Sequence, residues 1–98
     1  MYSLSYSEDA IDQLSELLPY YLLWHPKEWA QDALAQIEAA FETYKLHPEA
    51  APLYPFTSSS SPAYRRVNIW HLAFLYRIDE EAKRLLVDRI YHVRSSQL

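Results

Sequence analysis

The apolar pattern of this chain changes period twice, from two residues to about 3.6 and back, and few small folds accommodate that order. Residues 2–6 alternate, with Tyr2, Leu4 and Tyr6 on one side and Ser3, Ser5 and Ser7 on the other. That is the pattern of a half-buried strand. Ile11, Leu14, Leu18, Tyr21 and Leu22 then follow at helical spacing. Ser7 is placed to cap this helix, and Glu8 and Asp9 stand where the helix dipole favours anions. Pro19 inside the pattern predicts a kink or an early break near Leu18. A second helix opens with Pro26 in its first turn, carries Trp29, Ala33, Ile37, Ala40, Phe41 and Tyr44 as one stripe, and ends at His47-Pro48. The few residues around Trp24-His25 imply an antiparallel hairpin of the two helices.

From Tyr64 the texture is that of strands, over Tyr64–Trp70, Leu72–Ile78 and Arg84–Arg94, rich in Val, Ile, Leu, Tyr and Phe. Trp70-His71 forms the tight connection between the first two, and residues 79–83 form a polar turn before the last. The expected order is β-α-α-β-β-β. This is an α+β domain over residues 1–98, with an α-helical hairpin on one face of a small, mainly antiparallel sheet. Residues 47–63 carry four prolines and a Thr-Ser run without periodicity, and are expected to form a long Pro/Ser-rich loop with a poorly ordered Ser run. The aromatics Tyr2, Tyr6, Trp29, Phe41, Tyr44, Phe74 and Tyr76 are the expected core.

Composition removes several function classes. The chain has no Gly and no Cys among its 98 residues. Phosphate-cradling loops of the GxxxxGK[ST] or GxGxxG type cannot be written, nor can a GxSxG nucleophile elbow, a disulfide, a thiolate zinc site or a thiol nucleophile. Four scattered His predict no metal site, and no cofactor is expected. The longest apolar run, residues 20–24, is far below a membrane span or signal segment, so a cytoplasmic protein without membrane contact is expected. The net charge of −4 is unevenly distributed. Residues 1–50 hold two bases against nine acids, and residues 51–98 hold seven bases against four acids. The basic half can face an anionic target, or both signs can be ordinary solvated surface.

Five short segments, in order, carry a family resemblance. Residues 2–10 (Tyr-Ser-Leu-Ser-Tyr-Ser-Glu-Asp-Ala), Leu46-His47-Pro48-Glu49, Tyr64-Arg65-Arg66-Val67, Leu75-Tyr76-Arg77-Ile78-Asp79 and Arg89-Ile90-Tyr91-His92-Val93-Arg94 together resemble the RelE/ParE toxin superfamily of type II toxin–antitoxin modules. The resemblance spans essentially the whole chain. It departs from the family where Trp70-His71 takes the place of a common Gly, and in Pro19 and the Ser-rich insertion.

The resemblance implies a growth-inhibiting toxin neutralised by a cognate antitoxin, with no sequence-specific DNA binding of its own when the antitoxin is absent. Two targets are implied. RelE-like members cleave mRNA on the ribosome without a metal, which requires an activated 2′-hydroxyl, a stabilised phosphate and a protonated leaving oxygen. The candidates here are Arg65, Tyr91, His92 and Arg94. However, Ala73 stands where such nucleases carry a key Arg, and no Lys falls between Lys45 and Lys83. ParE-like members bind and poison DNA gyrase without hydrolytic chemistry, and the helical hairpin and the closing His and Arg favour that branch. A decayed toxin that only binds antitoxin is the third reading.

Under the toxin reading the target-binding candidates are Arg65, Arg66, Arg77, Arg89, His92 and Arg94, and the antitoxin anchors are Tyr20, Trp24 and Trp70. The sheet arginines can instead pair with Asp79 or Asp88. In the last strand Arg89, Tyr91 and Val93 share one side, and Ile90, His92 and Arg94 the other. Which side faces the helices stays open at this level.

Overall fold

A computed structural model describes residues 1–22, 27–54 and 63–93, and the side chains of all of these except residues 20–22 and 27–31. The elements are β1 (Ser3–Tyr6), α1 (Glu8–Leu22), α2 (Lys27–Leu46), β2 (Arg65–Ile69), β3 (Leu72–Asp79) and β4 (Arg84–His92). They build one four-stranded sheet in the order β1-β4-β3-β2. β1 runs parallel to β4, and the other two pairings are antiparallel. The α+β order read from the sequence is the observed one.

Local chemistry explains the element boundaries. The Ser7 hydroxyl accepts the Ala10 N–H at 3.1 Å, so one of the free donors of the first turn of α1 is satisfied, and Glu8 and Asp9 follow it in that turn. The expected break near Leu18 does not occur, because α1 continues through Pro19 to Leu22. Proline removes one backbone donor, and apolar contacts on the same side of the helix offset that loss: Leu14, Leu17 and Leu18 all pack on the core. Ile11, which shares their spacing, is 51% exposed instead. The inward line of α1 runs through Ala10 and Leu14, and Ile11 stands about 100° round the helix from Ala10.

In α2 the stripe is as expected, with Ala33, Ile37 and Phe41 buried and Ala40 and Tyr44 packed alongside. Trp29 lies outside the described side chains. Phe41 meets the rings of Tyr44, Phe74 and Tyr76 edge-on at centroid distances of 6.1, 5.9 and 5.9 Å. Val67, Ile69, Leu72, Phe74, Tyr76, Leu85, Val87 and Ile90 supply the sheet side of the same core. Both helices therefore cover one face.

Part of the expected loop is sheet-like. Leu53 bridges Arg65, the Tyr54 N–H donates to the Tyr64 carbonyl at 2.7 Å, and the Arg66 N–H donates to the Pro52 carbonyl at 3.0 Å. Ala51 is buried in the core. The Ser run lies outside the described residues. The β2–β3 hairpin turns on Trp70-His71, with Ile69 opposite Leu72. In a chain without Gly, two turns place ordinary residues in the left-handed region, Trp70 at φ 57° and Lys83 at φ 52°.

Candidate functional site

Strand alternation divides the sheet residues between two faces, and a bulge in β4 fixes the division. Leu75 pairs with Arg89 while Tyr76 pairs with Val87, so Asp88 is an extra residue. Before the bulge Leu85 and Val87 face the core, and after it Ile90 does. Arg89 and Tyr91 consequently lie on the open face, with His92 on the helix side. α1 covers the β4 edge beyond β1, where the Ile90 N–H donates to Gln13 Oε1 at 2.6 Å.

Arg66, Arg77 and Arg89 share the open face. Arg66 and Arg89 flank Leu75 in one cross-strand row, and Arg77 is two residues further along β3 on the same side. Arg66 Nε donates to Asn68 Oδ1 at 3.0 Å. Among the described residues, the side chains of Arg77 and Arg89 have no hydrogen bond or ion pair. The acids that sequence reasoning offered them are engaged elsewhere. Asp79 takes Arg84 at 3.1 Å and the Ala82 N–H at 3.2 Å, and these bonds, the Ala82 amide foremost, hold its carboxyl below the usual range. Asp88 Oδ2 accepts the Tyr64 hydroxyl at 2.5 Å, and the Asp88 carbonyl accepts the Ser7 hydroxyl. The Tyr64 side chain thus reaches across β3 from the start of β2. Its bond to Asp88 raises its pKa, and Arg77 and Arg89 pull in the opposite direction.

Arg65 lies on the other face. It pairs with inward Tyr76 and donates from Nη1 to the carbonyls of Ala51 at 2.7 Å and Glu49 at 3.0 Å. These bonds tie the segment after α2 to the sheet, as does the Tyr76 hydroxyl on the Pro48 carbonyl at 2.5 Å. Hydrogen bonds from a charged donor contribute about 1.5–3 kcal/mol. Arg65→Ala should therefore lower stability by about 2 kcal/mol, whereas Arg66→Ala should cost about 0.5 kcal/mol or less. Urea unfolding of the two variants tests the contrast, and equal losses would contradict it.

The remaining candidates scatter. His92 is exposed at the end of β4, its ring 6.4 Å from that of His71. It also borders a cleft of about 450 Å³ between α1 and β4, together with Glu16 and Tyr54. Arg65 and His92 stand at opposite ends of their strands, and Tyr91 is on the opposite face from both. Arg94, Trp24 and the Tyr20 side chain lie outside the described residues. Trp70 is half-buried and packed on the core. Among the described side chains of the helices, the most exposed large apolar ones are Leu34 and Leu46, with Ile11 close behind.

Tyr64 and Asp88 were not among the candidate site residues. A signal for them exists in the phase slip of the apolar residues of β4 from 85 and 87 to 90.

Among the described residues no charged side chain is buried. No group of three or more His, Asp or Glu among them could hold a metal ion. No helix among the described residues is long and apolar enough to cross a membrane.

Comparison with known proteins accords with this architecture. Solved structures similar to the chain include the chromosomal ParDE toxin–antitoxin system of P. aeruginosa, at 20% identity and TM-score 0.66, covering 96% of this chain and 98% of that one. The RelBE2 toxin–antitoxin complex of Mycobacterium tuberculosis aligns at 20% identity and TM-score 0.59, over 93% and 96% of the two chains. The isolated E. coli RelE toxin aligns at 10% identity and TM-score 0.63, over 98% and 88%. No curated protein matches the chain. The family model for the ParE toxin of the type II toxin–antitoxin system parDE matches residues 4–96. With nearly every residue of the sheet and both helices inside that match, the chain belongs to the ParE toxin family of type II toxin–antitoxin systems.

Proposed function

We propose that this protein arrests growth by binding and poisoning DNA gyrase, and that a cognate antitoxin neutralises it. The observation that carries the first part is the dispersal of the nuclease candidates. Arg65 is committed to the Glu49 and Ala51 carbonyls on the helix side, Tyr91 is on the open face, and His92 is at the far end of the sheet. Attack by a 2′-hydroxyl needs its base, phosphate ligand and acid within about 3 Å of one substrate, and the described candidates Arg65, Tyr91 and His92 do not converge. Ala73, buried in the middle of β3, supplies no cation there. Arginines gathered on one face, with the described nuclease candidates dispersed, suit binding better than hydrolysis.

The antitoxin part rests on the family and on the assemblies in which its structural relatives occur, since RelBE2 and the E. coli RelBE pair are toxin–antitoxin complexes. The exposed Ile11 and Leu34 on the helices offer apolar anchors for a segment that folds on binding, beside the Tyr20, Trp24 and Trp70 read from the sequence.

Purified protein added to a gyrase supercoiling reaction should inhibit it and accumulate cleaved DNA, and co-expression of the neighbouring small reading frame should reverse growth arrest. Codon-dependent cuts in a message translated on ribosomes, with gyrase unaffected, would assign the protein to the nuclease branch. Harmless expression with retained antitoxin binding would make it a binding module.

A further inference from the structure

The Tyr64–Asp88 bond spans the open face between Arg77 and Arg89, whose side chains have no hydrogen-bond or ion-pair partner among the described residues. Asp88 is the bulged residue of β4, next in sequence to Arg89, and Tyr64 is near enough to Arg77 and Arg89 to feel both. A free carboxylate at position 88 would be the obvious counter-ion for either guanidinium. Instead its Oδ2 accepts the Tyr64 hydroxyl, and its main chain is held by Ser7.

We infer that the open face docks an acidic polypeptide segment through Arg66, Arg77 and Arg89, and that Tyr64, by holding the Asp88 carboxylate, keeps it from pairing with these guanidinium groups. The inference rests on the toxin reading only for the identity of the partner, and it supplies the chemistry of the segment that the target presents. Arg66 and Arg89 lie about 10 Å apart across β3, two strand spacings, with Arg77 between their strands. Alternate residues of an extended chain are about 7 Å apart, and the long arginine side chains span the difference. Ala73 and Leu75 between the arginines are buried, so the contact is made by the guanidinium groups themselves.

A peptide is favoured over nucleic acid by charge. The protein carries −4 overall and nine acids in its first half, which repel a long polyanion. Three guanidinium groups would release about three counterions, a weak grip on a nucleic acid. A short acidic segment needs only the local potential.

The test uses the full-length protein and two fluorescein-labelled probes, a peptide of alternating Glu and Ser about twelve residues long and an oligo-dT of similar length. Binding is read by anisotropy at about 50 mM salt, where screening is weak. The peptide should bind more tightly than oligo-dT. Arg66→Gln, Arg77→Gln and Arg89→Gln should each weaken it about 3- to 10-fold, and Lys45→Gln, at the end of α2 on the other face of the sheet, should not.

The diagnostic variant is Tyr64→Phe, which leaves net charge unchanged. It should weaken peptide binding about 3-fold by freeing Asp88 to pair with Arg77 or Arg89. Adding Asp88→Asn should restore binding to at least the parental level. Circular dichroism of each variant checks that it is folded.

Unchanged affinity in Tyr64→Phe, failure of Asp88→Asn to rescue it, insensitivity to the three arginines, or preference for oligo-dT would each overturn the inference. Peptide binding as described with gyrase unaffected would refute the target reading and leave the docking surface standing. Equal gyrase inhibition by the parental protein and the triple Arg→Gln variant would do the reverse.

Discussion

Replacing Phe41 with Ala should destabilise the protein by about 3–5 kcal/mol, the range for deleting a fully buried ring from a core. Phe41 is 0% exposed and is the hub of the aromatic cluster. Its ring meets Tyr44, Phe74 and Tyr76 at interplanar angles of 72°, 74° and 73°, the edge-on geometry in which aromatic quadrupoles attract. Removing it leaves a cavity bounded by α2 and β3, and the neighbouring rings are too large and rigid to fill it. Because small domains have about 5–15 kcal/mol in total, the variant should be partly unfolded at physiological temperature. Urea unfolding against Leu34→Ala provides the check. Leu34 is 59% exposed, so that change should cost about 0.5 kcal/mol or less. A loss below about 1.5 kcal/mol for Phe41→Ala would mean that the helix–sheet core is not packed as described.

The second large effect is a loss of stability in alkali. Burial pushes the Tyr76 hydroxyl up to about 12, with Tyr44 adding to the shift and Arg65 opposing it. Tyr6 is also pushed up to about 12, by burial first and by the Glu38 charge second. A folded pKa above the unfolded value of 10 means that the native state holds the proton more tightly. The stabilisation is therefore complete below pH 10 and disappears as the pH rises from about 10 to 12. For Tyr76, whose ring is 0% exposed, two pH units correspond to about 2–3 kcal/mol, and half-buried Tyr6 should contribute less. Lys45 adds to the same trend. Its bond to Glu38 raises its pKa, so its contribution is also lost as the pH rises. Urea midpoints should be flat from pH 7 to 9 and fall steeply above 10. In Tyr76→Phe the baseline should be lower, with the Pro48 carbonyl left without its donor, but the alkaline slope should be shallower. A slope identical to the parental one would show that the Tyr76 hydroxyl is not desolvated.

The helices and strands were legible because each has a periodic apolar face and clear stop signals. Ser7 begins α1, and the chain leaves α2 at His47-Pro48. The failures are physical too. Pro19 is a break signal judged locally, yet apolar contacts along α1 carry the helix through it. Residues 51–54 show no periodicity because their order comes from pairing with β2 and from Arg65, a partner more than ten residues away in sequence. Ile11 and Leu14 look alike in a helical pattern, and only the sheet beneath α1 separates exposed from buried.

The amino-acid sequence by itself determined the element order, the mixed α+β class, the aromatic core and the excess of positive charge after residue 64, since all of these follow from residue type and short-range spacing. Only the tertiary structure decided which arginines share a face. Arg65 and Arg66 are adjacent in sequence, but alternation sends one to the carbonyls beneath the helices and the other to the open face. In β4 one extra residue, Asp88, reverses that alternation, so the faces of Arg89, Tyr91 and His92 could not be counted from the start of the strand. The bond from Tyr64 to Asp88 joins residues 24 apart in sequence and exists because β3 lies between their strands. Long-range register of this kind is set by pairing energies summed over the whole sheet, and no local segment contains them.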